Sequence, residues 1–212
     1  NCAIVSIKAG YPGAAIKTMN SIWGMGQMMY TKMIIVVDHT VDVQDLAQVR
    51  DAVLANTDVN RSLTISEGPL DALDHSSDEA LYGNRLGIDA TEKGTPKTSS
   101  QPAHTYHILT VQKERPGQAR EALAEYMSRH RDKFVIAVDA LVSPKDLSTV
   151  MWKVFNNIDA KRDLVVLDDK LGIDATKKWS GEGLTRPWPN DIEMSPEIKQ
   201  QVEERWTQYG ID

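Results

Sequence analysis

Apolar residues recur along the chain in two successive runs that predict the same order of elements. In each run an apolar stretch precedes a segment with apolar positions at helical spacing, and a continuous apolar stretch typical of a strand buried on both faces follows. A second amphipathic segment and a third apolar stretch complete the run. The apolar stretches are Ala3–Lys8, MIIVV and LTISE in the first run, and Ile108–Gln112, FVIAV and LVVLD in the second. This order of strands and helices predicts parallel pairing with right-handed crossovers.

The second helix of each run has strong start signals. Asp42 and Ser143 are the predicted N-caps, and Pro144 takes the first helical position after Ser143. Asp45 and Asp146 follow three residues after each cap. Because carboxylates in a first helical turn are stabilised by the positive end of the helix dipole, we interpret these two as structural rather than catalytic.

The hexapeptide LGIDAT occurs twice, at Leu86–Thr91 and at Leu171–Thr176. Segments before it also match in order: YPGAAIKTM with RPGQAREAL, and TKMIIVVD with DKFVIAVD. The second copy lacks three residues of the first helix and sixteen residues between the third strand and LGIDAT. Self-similarity of this kind indicates a duplicated unit.

The repeat predicts an α/β protein with two similar βαβαβ units, mainly parallel strands covered by helices, and a C-terminal helix. Residues 1–93 form the first repeat, and residues 94–107, rich in Pro, Ser and Thr, form a linker. Residues 108–179 form the second, shortened repeat, and residues 180–212 form a C-terminal extension that ends in the helix.

The C-terminal helix is predicted from its start and from one apolar face. Ser195 is the N-cap and Pro196 the first helical residue. The apolar face consists of Ile198, Val202, Trp206 and Tyr209. Because such a face must be buried and an aromatic anchor suits a protein interface, we expect a homo-oligomer that assembles through this helix.

The composition and net charge of the chain argue against several kinds of partner and indicate the compartment in which we expect the protein. The net charge of −6 argues against nucleic acid or acidic membranes as partners, since both require a basic face. No apolar run is long enough for a transmembrane segment. The single cysteine, Cys2, excludes an intramolecular disulfide and fits a reducing cytoplasm, where we expect the protein. The sequence does not start with Met, so we expect a piece of a longer protein, with room for catalytic residues outside it.

The stretch GPLDALDHSSDEA (Gly68–Ala80) concentrates side chains that could bind a hard cation. These are Asp71, Asp74, His75 and Asp78. Their spacing matches neither an EF-hand nor a zinc site, so we interpret the segment as a solvated acidic loop and assign no metal ligand. Most of this loop is absent from the second copy, which indicates that the two copies do different jobs.

Lys32 stands directly before a buried strand, and Lys133 holds the same place in the second copy. Such a lysine either extends along the strand edge to reach water or binds a phosphate as a point charge. The residues alone leave both interpretations open.

The run GYPGAAIKTMNSIWGMGQMMYTKMIIVVDHTVDVQDL, with GPLDALD and LGIDAT after it, resembles the C-terminal domain of the UbiD-type decarboxylases. This family includes the 3-polyprenyl-4-hydroxybenzoate carboxy-lyases and related menaquinone-pathway decarboxylases. The end of the chain, LGIDATKKWSGEGLTRPWP with the terminal helix, is similar to the C-terminus of that family. MYTKMIIVVDHTVDV and the K-W-x-G-E after LGIDAT are the most specific parts of the resemblance.

The resemblance implies that the parent protein decarboxylates an aromatic or unsaturated acid without oxidation, in ubiquinone or menaquinone biosynthesis. It implies prenylated FMN as cofactor, with Mn²⁺ and K⁺ at its phosphate. The flavin-binding fold and the catalytic Arg/Glu/Glu set of the family lie N-terminal to this region. We therefore assign no catalytic residue and no metal ligand to this chain, and expect the fragment alone to bind no cofactor and to be inactive.

Two positions carry over from the family motifs. Lys32, in YTK, resembles the lysine near the flavin phosphate, and Leu70, in GPLDALD, resembles the apolar residue that faces the substrate. The implied partner of the chain is the upstream flavin-binding domain of the same protein.

Two departures from the family pattern bear on function. A typical member has one copy of this unit, whereas this chain has two. Because the first copy keeps YTK and the GPLDALD loop, we expect it to close the active site and the second copy to serve packing and assembly. His75-Ser76 also replaces the apolar and small residues more usual in that loop, which leaves the substrate open.

Two other classes of protein remain as alternatives. One is a non-catalytic assembly or regulatory α/β module. The other is a complete Rossmann-type enzyme with its site at the strand ends near Asp38 and Asp139. WGMGQ (Trp23–Gln27) resembles part of a glycine-rich phosphate loop, but it lies in a predicted helix and lacks the third glycine, which argues against that enzyme.

Overall fold

The computed structural model describes residues 1–92, 105–190 and 194–210, and each repeat folds into a sheet with two helices. The first repeat contains β1 (Cys2–Ile7), α1 (Ala14–Trp23), a 3₁₀ helix (Gly26–Tyr30), β2 (Met33–Asp38), α2 (Leu46–Asn56), β3 (Leu63–Pro69) and β4 (Tyr82–Ala90). The second contains β5 (Tyr106–Val111), α3 (Gln118–Arg129), β6 (Phe134–Asp139), α4 (Leu147–Asn157), β7 (Leu164–Leu167) and β8 (Lys170–Asp174). Beyond them lie α5 (Pro196–Glu204) and a second 3₁₀ helix (Trp206–Tyr209).

The two sheets have the same strand order, β1-β2-β4-β3 and β5-β6-β8-β7. β2 pairs in parallel with β1 and β4, and β6 does so with β5 and β8. The α/β class with two similar, mainly parallel units is thereby confirmed. The predicted strand count was one too low, because LGIDAT forms a fourth strand in each repeat. The third strand pairs antiparallel with the fourth in both repeats, because neither connection contains a crossover helix: a tight turn joins β7 to β8, and residues 70–81 join β3 to β4.

The predicted N-caps of α2 and α4 were wrong by three residues. Asp45 and Asp146 are the caps, and their carboxylates accept hydrogen bonds from backbone N–H groups of the first turn at 2.9–3.2 Å. The Asp42 carboxylate instead accepts the backbone N–H of Gln44 at 2.9 Å. A short polar side chain that bonds its own backbone favours a turn over a helix, so the helix begins later.

The segment around WGMGQ also differs from the prediction. α1 ends at Trp23, and the 3₁₀ helix begins at Gly26, which has a φ of 47°. Because φ is positive there, the backbone turns out of the helix at a position that favours glycine. Only Trp23 of this segment therefore lies in α1, whereas the prediction placed the whole segment in a helix.

The two repeats share one hydrophobic core between the inner faces of their sheets. Its buried members are Met33, Val59, Leu86 and Ile88 from the first repeat, and Phe134, Val138, Val142, Val150, Val154, Ile158, Ala160, Leu171, Ile173 and Ala175 from the second. α1 and α3 cover the outer faces of the two sheets and form separate smaller cores. The duplicated units therefore pack against each other and are not separate domains.

The repeated LGIDAT is a structural element. Its leucine and isoleucine enter the shared core in both copies. The aspartate closes the strand end, because Asp89 accepts hydrogen bonds from the backbone and hydroxyl of Thr91, and Asp174 does the same for Thr176. The glycine gives clearance, since a Cβ on Gly87 would lie 2.5 Å from the sulfur of Met19.

We expect Gly87→Ala to lower the free energy of unfolding by about 1–3 kcal/mol, because the added methyl group overpacks the contact between α1 and β4. Urea denaturation followed by circular dichroism measures this change. Gly10→Ala is the matched control, since a Cβ there would meet no atom within 4 Å. Equal stability of the two variants would contradict this role for the glycine of LGIDAT.

Residues 94–104 of the predicted linker lie outside the described residues. The strand after it begins at Tyr106, two residues before the predicted Ile108. The start of the C-terminal helix agrees with the prediction, since Ser195 caps α5 and Pro196 is its first residue. Across the described parts of the chain, the helices are all too short or too polar to cross a membrane.

Candidate cofactor and substrate site

Lys32 directly precedes β2, and its side chain is almost completely buried. Its Nζ atom lies 2.7 Å from Asp74 Oδ2 and 2.7 Å from Ser76 Oγ. Both side chains of the ion pair have a relative exposure of only 2%. The expectation of a solvated acidic loop was therefore wrong at Asp74, because the loop folds inward and places this carboxylate on the lysine.

Local hydrogen bonds shape the loop between β3 and β4, residues 70–81. The Asp71 carboxylate accepts the backbone N–H of Leu73 at 2.8 Å. The Asp74 carboxylate accepts the backbone N–H of Ser76 at 2.9 Å. These turns bring Asp74 and Ser76 side by side on Lys32 although 42 and 44 residues separate them from it in sequence.

The second repeat and its extension hold this loop from the other side. The cross-contacts are Ser76 Oγ to the Ile158 carbonyl at 2.9 Å, Arg162 to the Ser76 carbonyl at 2.7 Å, Arg186 to the Ser77 carbonyl at 3.2 Å, Thr185 N–H to Asp78 at 2.6 Å, and the His75 ring edge-on to Trp188 at 4.7 Å. The loop that only the first repeat retains is therefore positioned by the second repeat.

An open, polar cavity of about 350 Å³ lies beside the loop, at the junction of the two repeats. Glu67, Asp78 and Tyr82 line it from the first repeat, and Asp159 and Lys161 from the second. Asp159 is tied to the first repeat, since its carboxylate accepts hydrogen bonds from the Asn84 backbone and side-chain amides at 3.0–3.1 Å.

Leu70 is completely buried in the observed loop, with 0% exposure. It packs so closely on Gly83 that a Cβ there would lie 2.8 Å from Leu70 Cδ1. The exposed leucines of the loop are Leu73, at 88%, and Leu81, at 56%. The substrate role of Leu70 stays a prediction, and it requires the loop to uncover this side chain.

Lys133 occupies the place of Lys32 in the second repeat but has different surroundings. Its Nζ atom donates to the Leu54 carbonyl of the first repeat at 2.9 Å. The loop that covers Lys32 has no counterpart there, because β7 and β8 are joined by the short turn at Asp168 and Asp169. Two lysines that match in sequence therefore differ in what they can bind.

The K-W-x-G-E motif after the second LGIDAT forms ion pairs and a hydrogen bond within the second repeat. Lys178 lies 2.9 Å from the Asp174 carboxylate, and Glu182 pairs with Lys113 at 2.7 Å. Glu182 also accepts the backbone N–H of Gly117, at the start of α3, at 2.8 Å. Burial raises the pKa of Glu182, but the hydrogen bonds from Lys113 and Gly117 outweigh it and lower the pKa overall.

The acidic residues of the loop do not converge on one point. Asp74 binds Lys32, Asp78 binds Thr185, and Asp71 accepts the backbone N–H of Leu73. Within the described ranges, there is no cluster of three or more His, Cys, Asp or Glu side chains that could hold a metal ion.

Comparison with protein families places these features in a known context. The family model for the 3-octaprenyl-4-hydroxybenzoate carboxy-lyase C-terminal domain matches residues 1–90 and residues 98–181. The chain belongs to this UbiD C-terminal domain family. Since the match covers each repeat in turn, the duplication of the UbiD unit is confirmed.

Similar proteins are longer than this chain. An uncharacterized protein of Helicobacter pylori is 28% identical over 97% of the chain, which spans 38% of that protein. A protein of Archaeoglobus fulgidus is 47% identical over 44% of the chain, which spans 20% of that protein. The alignment with the Helicobacter protein thus extends over both repeats of this chain.

Two solved structures show local similarity to this chain. Vanillic acid decarboxylase of Sedimentibacter hydroxybenzoicus in its open form is 27% identical over 61% of this chain and 27% of its own, with a TM-score of 0.43. The UbiD-class enzyme HmfF of Pelotomaculum thermopropionicum in complex with FMN is 24% identical over 58% of this chain and 26% of its own, with a TM-score of 0.41.

Proposed function

We propose that this UbiD repeat pair is the pocket-closing and oligomerising portion of a cytoplasmic, non-oxidative carboxy-lyase. The proposed substrate is an aromatic acid resembling a polyprenyl-hydroxybenzoate, and the proposed role is in quinone biosynthesis. The observation that carries the proposal is the family match over both repeats. The buried Lys32 at the edge of a covering loop supports it, because a dry, fixed positive charge suits an anionic group.

Lys32 is the residue that we propose to hold the phosphate of prenylated FMN. An ammonium has three N–H donors, and Asp74 and Ser76 take two of them. The third suits one phosphate oxygen, which can reach it only when residues 70–81 move, because the Lys32 side chain is 2% exposed. Prenylated FMN, with Mn²⁺ and K⁺, supplies the decarboxylation chemistry when it is bound in the parent enzyme. The contribution of this chain is binding and orientation, while the acid–base residues belong to the upstream domain.

Leu70 is the proposed substrate contact. Because it has no exposed surface, it reaches a substrate only when residues 70–81 leave their observed position. The same movement would separate Asp74 from Lys32, since both loop residues move together. We therefore propose that the loop is the part of this chain that opens and closes the pocket.

The division of labour between the repeats follows from the same contacts. The first repeat carries Lys32 and the loop, and the second repeat supports the loop from outside through Arg162 and Ile158. Lys133 binds a backbone carbonyl of the first repeat, which supports a packing role. We propose that the second repeat serves packing and assembly, and has no cofactor site.

The proposed oligomer contact is the C-terminal segment. Ile198, Trp206 and Tyr209 are 47%, 50% and 48% exposed, and α5 has no buried residue. An amphipathic helix of this kind gains stability only when another surface covers its apolar face. A second copy of the parent protein is the proposed cover.

A decarboxylation assay on the parent protein tests the function. We expect the parent, loaded with prenylated FMN, to release labelled CO₂ from a carboxyl-labelled 3-polyprenyl-4-hydroxybenzoate. Release should stop when an upstream Arg or Glu of the flavin domain is replaced. No release from this or other aromatic acids, together with no flavin domain upstream, would overturn the proposal in favour of an assembly module.

A further inference from the structure

Arg162 of the second repeat joins the loop over Lys32 to a buried carboxylate. Its Nη1 atom donates to the Ser76 carbonyl at 2.7 Å. Its Nε and Nη2 atoms donate to the two carboxylate oxygens of Asp163 at 2.9 and 2.7 Å. Because two parallel hydrogen bonds to a carboxylate fix the direction of a guanidinium, the remaining edge of Arg162 is aimed at the loop.

The duplication supplies an internal control for this arrangement. Arg162 and Asp163 align with Arg61 and Ser62 of the first repeat. Both repeats close the same turn here, since Asp163 accepts the backbone N–H of the fourth residue before it at 2.7 Å and Ser62 accepts the equivalent N–H at 3.0 Å. A neutral serine hydroxyl is therefore sufficient for the turn.

The negative charge of Asp163 needs another explanation, because its side chain is only 3% exposed and a buried charge is costly unless it is paired. Arg162 is the nearer cation, and Lys178 lies farther away, at 3.4 Å. Lys178 already binds the Asp174 carboxylate at 2.9 Å and the carbonyls of Asp174 and Thr176. The Asp163 carboxylate therefore serves mainly to orient Arg162.

The two aligned arginines differ in what holds them. Arg61 is exposed, and the residue after it is a serine that offers no carboxylate. Arg162 is fixed by its neighbour and contacts the loop that only the first repeat retains. The second repeat thus carries, at this position, a feature that matches a loop of the first repeat.

The loop in its observed position keeps an anion on Lys32. The Asp74 carboxylate lies 2.7 Å from Lys32 Nζ, and Ser76, which Arg162 holds, lies at the same distance. A phosphate reaches this buried ammonium only after residues 70–81 have moved, and that movement takes Asp74 away from it. The closed loop and a bound phosphate therefore exclude each other.

We infer that Arg162, oriented by Asp163, is a positioning residue that holds the loop closed over Lys32 and so limits access of the cofactor phosphate. This inference rests on the proposed function, because it takes a phosphate as the ligand of Lys32. It gives the second repeat control over the site of the first, in addition to packing and assembly. Weakening of the Arg162 contact should therefore favour cofactor binding, whereas a general loss of structure would impair it.

The experiment compares Asp163→Ser with Arg61→Met in the cofactor-free, full-length parent protein. Asp163→Ser gives the second repeat the residue of the first and keeps the turn, and Arg61→Met removes the aligned arginine as the matched control. Arg162→Met removes the loop contact itself and tests the inference if Asp163→Ser folds poorly. We expect backbone hydrogen exchange in residues 70–81 to accelerate about 10-fold or more in the two second-repeat variants, the equivalent of one charge-assisted hydrogen bond, and to stay unchanged in Arg61→Met.

Cofactor binding supplies a readout that a merely structural role would not move in this direction. Fluorescence titration of the apoenzyme with prenylated FMN should give a smaller dissociation constant for Asp163→Ser and Arg162→Met than for the unsubstituted parent. The reason is that the apparent affinity rises with the fraction of molecules whose loop is open. Arg61→Met should bind the cofactor as the unsubstituted parent does.

Three outcomes would overturn the inference. One is unchanged exchange of residues 70–81 in both second-repeat variants. Another is equal acceleration in Arg61→Met. The third is unchanged or weaker cofactor binding in variants whose loop exchanges faster, since the loop would then not compete with the phosphate. Failure of the proposed function appears separately, as absence of prenylated FMN binding by the unsubstituted parent.

Discussion

Replacement of Asp74 by alanine should lower the free energy of unfolding of this chain by about 3–5 kcal/mol. The carboxylate lies 2.7 Å from Lys32 Nζ, and both side chains are 2% exposed. Removal of one partner leaves a buried ammonium without its counter-charge, which is far more costly than the loss of a surface ion pair. Urea denaturation followed by tryptophan fluorescence measures the change.

Two further variants make this prediction specific to the buried pair. Glu79→Ala, in the same loop but exposed, should change the free energy of unfolding by less than about 0.5 kcal/mol. Lys32→Met/Asp74→Leu removes both charges and should recover most of the loss, because apolar groups of similar volume replace a buried pair at little cost. A loss below about 1 kcal/mol for Asp74→Ala would contradict the buried pair.

Replacement of Lys32 by alanine in the full-length enzyme should weaken retention of prenylated FMN by about 10- to 100-fold, the equivalent of one charge-assisted hydrogen bond. Lys133→Ala should leave retention unchanged, because this lysine binds the Leu54 carbonyl within the chain. Fluorescence titration of the apoenzyme with the cofactor gives both dissociation constants.

The paired substitution separates cofactor binding from folding. Lys32→Met/Asp74→Leu should fold normally and still lose the flavin. If Lys32→Ala lost the flavin only because it folds poorly, this double variant would retain the flavin. Equal effects of Lys32→Ala and Lys133→Ala would contradict the division of labour between the repeats.

Much of the fold could be predicted from local patterns. The buried runs at Met33 and Phe134 marked central strands, and the repeated LGIDAT marked the duplication, because both depend on residues that are close in sequence. The antiparallel direction of β3 could not be predicted, since apolar periodicity identifies a strand but not its partner.

The site was harder to predict than the fold. The family motif pointed to Lys32, whose cofactor role stays a prediction, but its partners Asp74 and Ser76 lie 42 and 44 residues away. From the sequence alone, the buried Asp74 carboxylate could not be distinguished from a solvent-exposed one, because a polar loop has no sequence pattern that indicates burial. One feature of the sequence did point to this loop, because the loop is retained in the first repeat and lost in the second. The support from Arg162 could not be anticipated, because it depends on how the two repeats pack.

The central claim is that this chain contributes to a flavin site whose main body lies elsewhere in the parent protein. Its most direct test is an absorbance spectrum of the isolated chain after incubation with prenylated FMN and Mn²⁺ and then desalting. We predict that no flavin is retained, because Lys32 supplies only one contact to the phosphate. Tight one-to-one retention would contradict the account and would place the cofactor site within these residues.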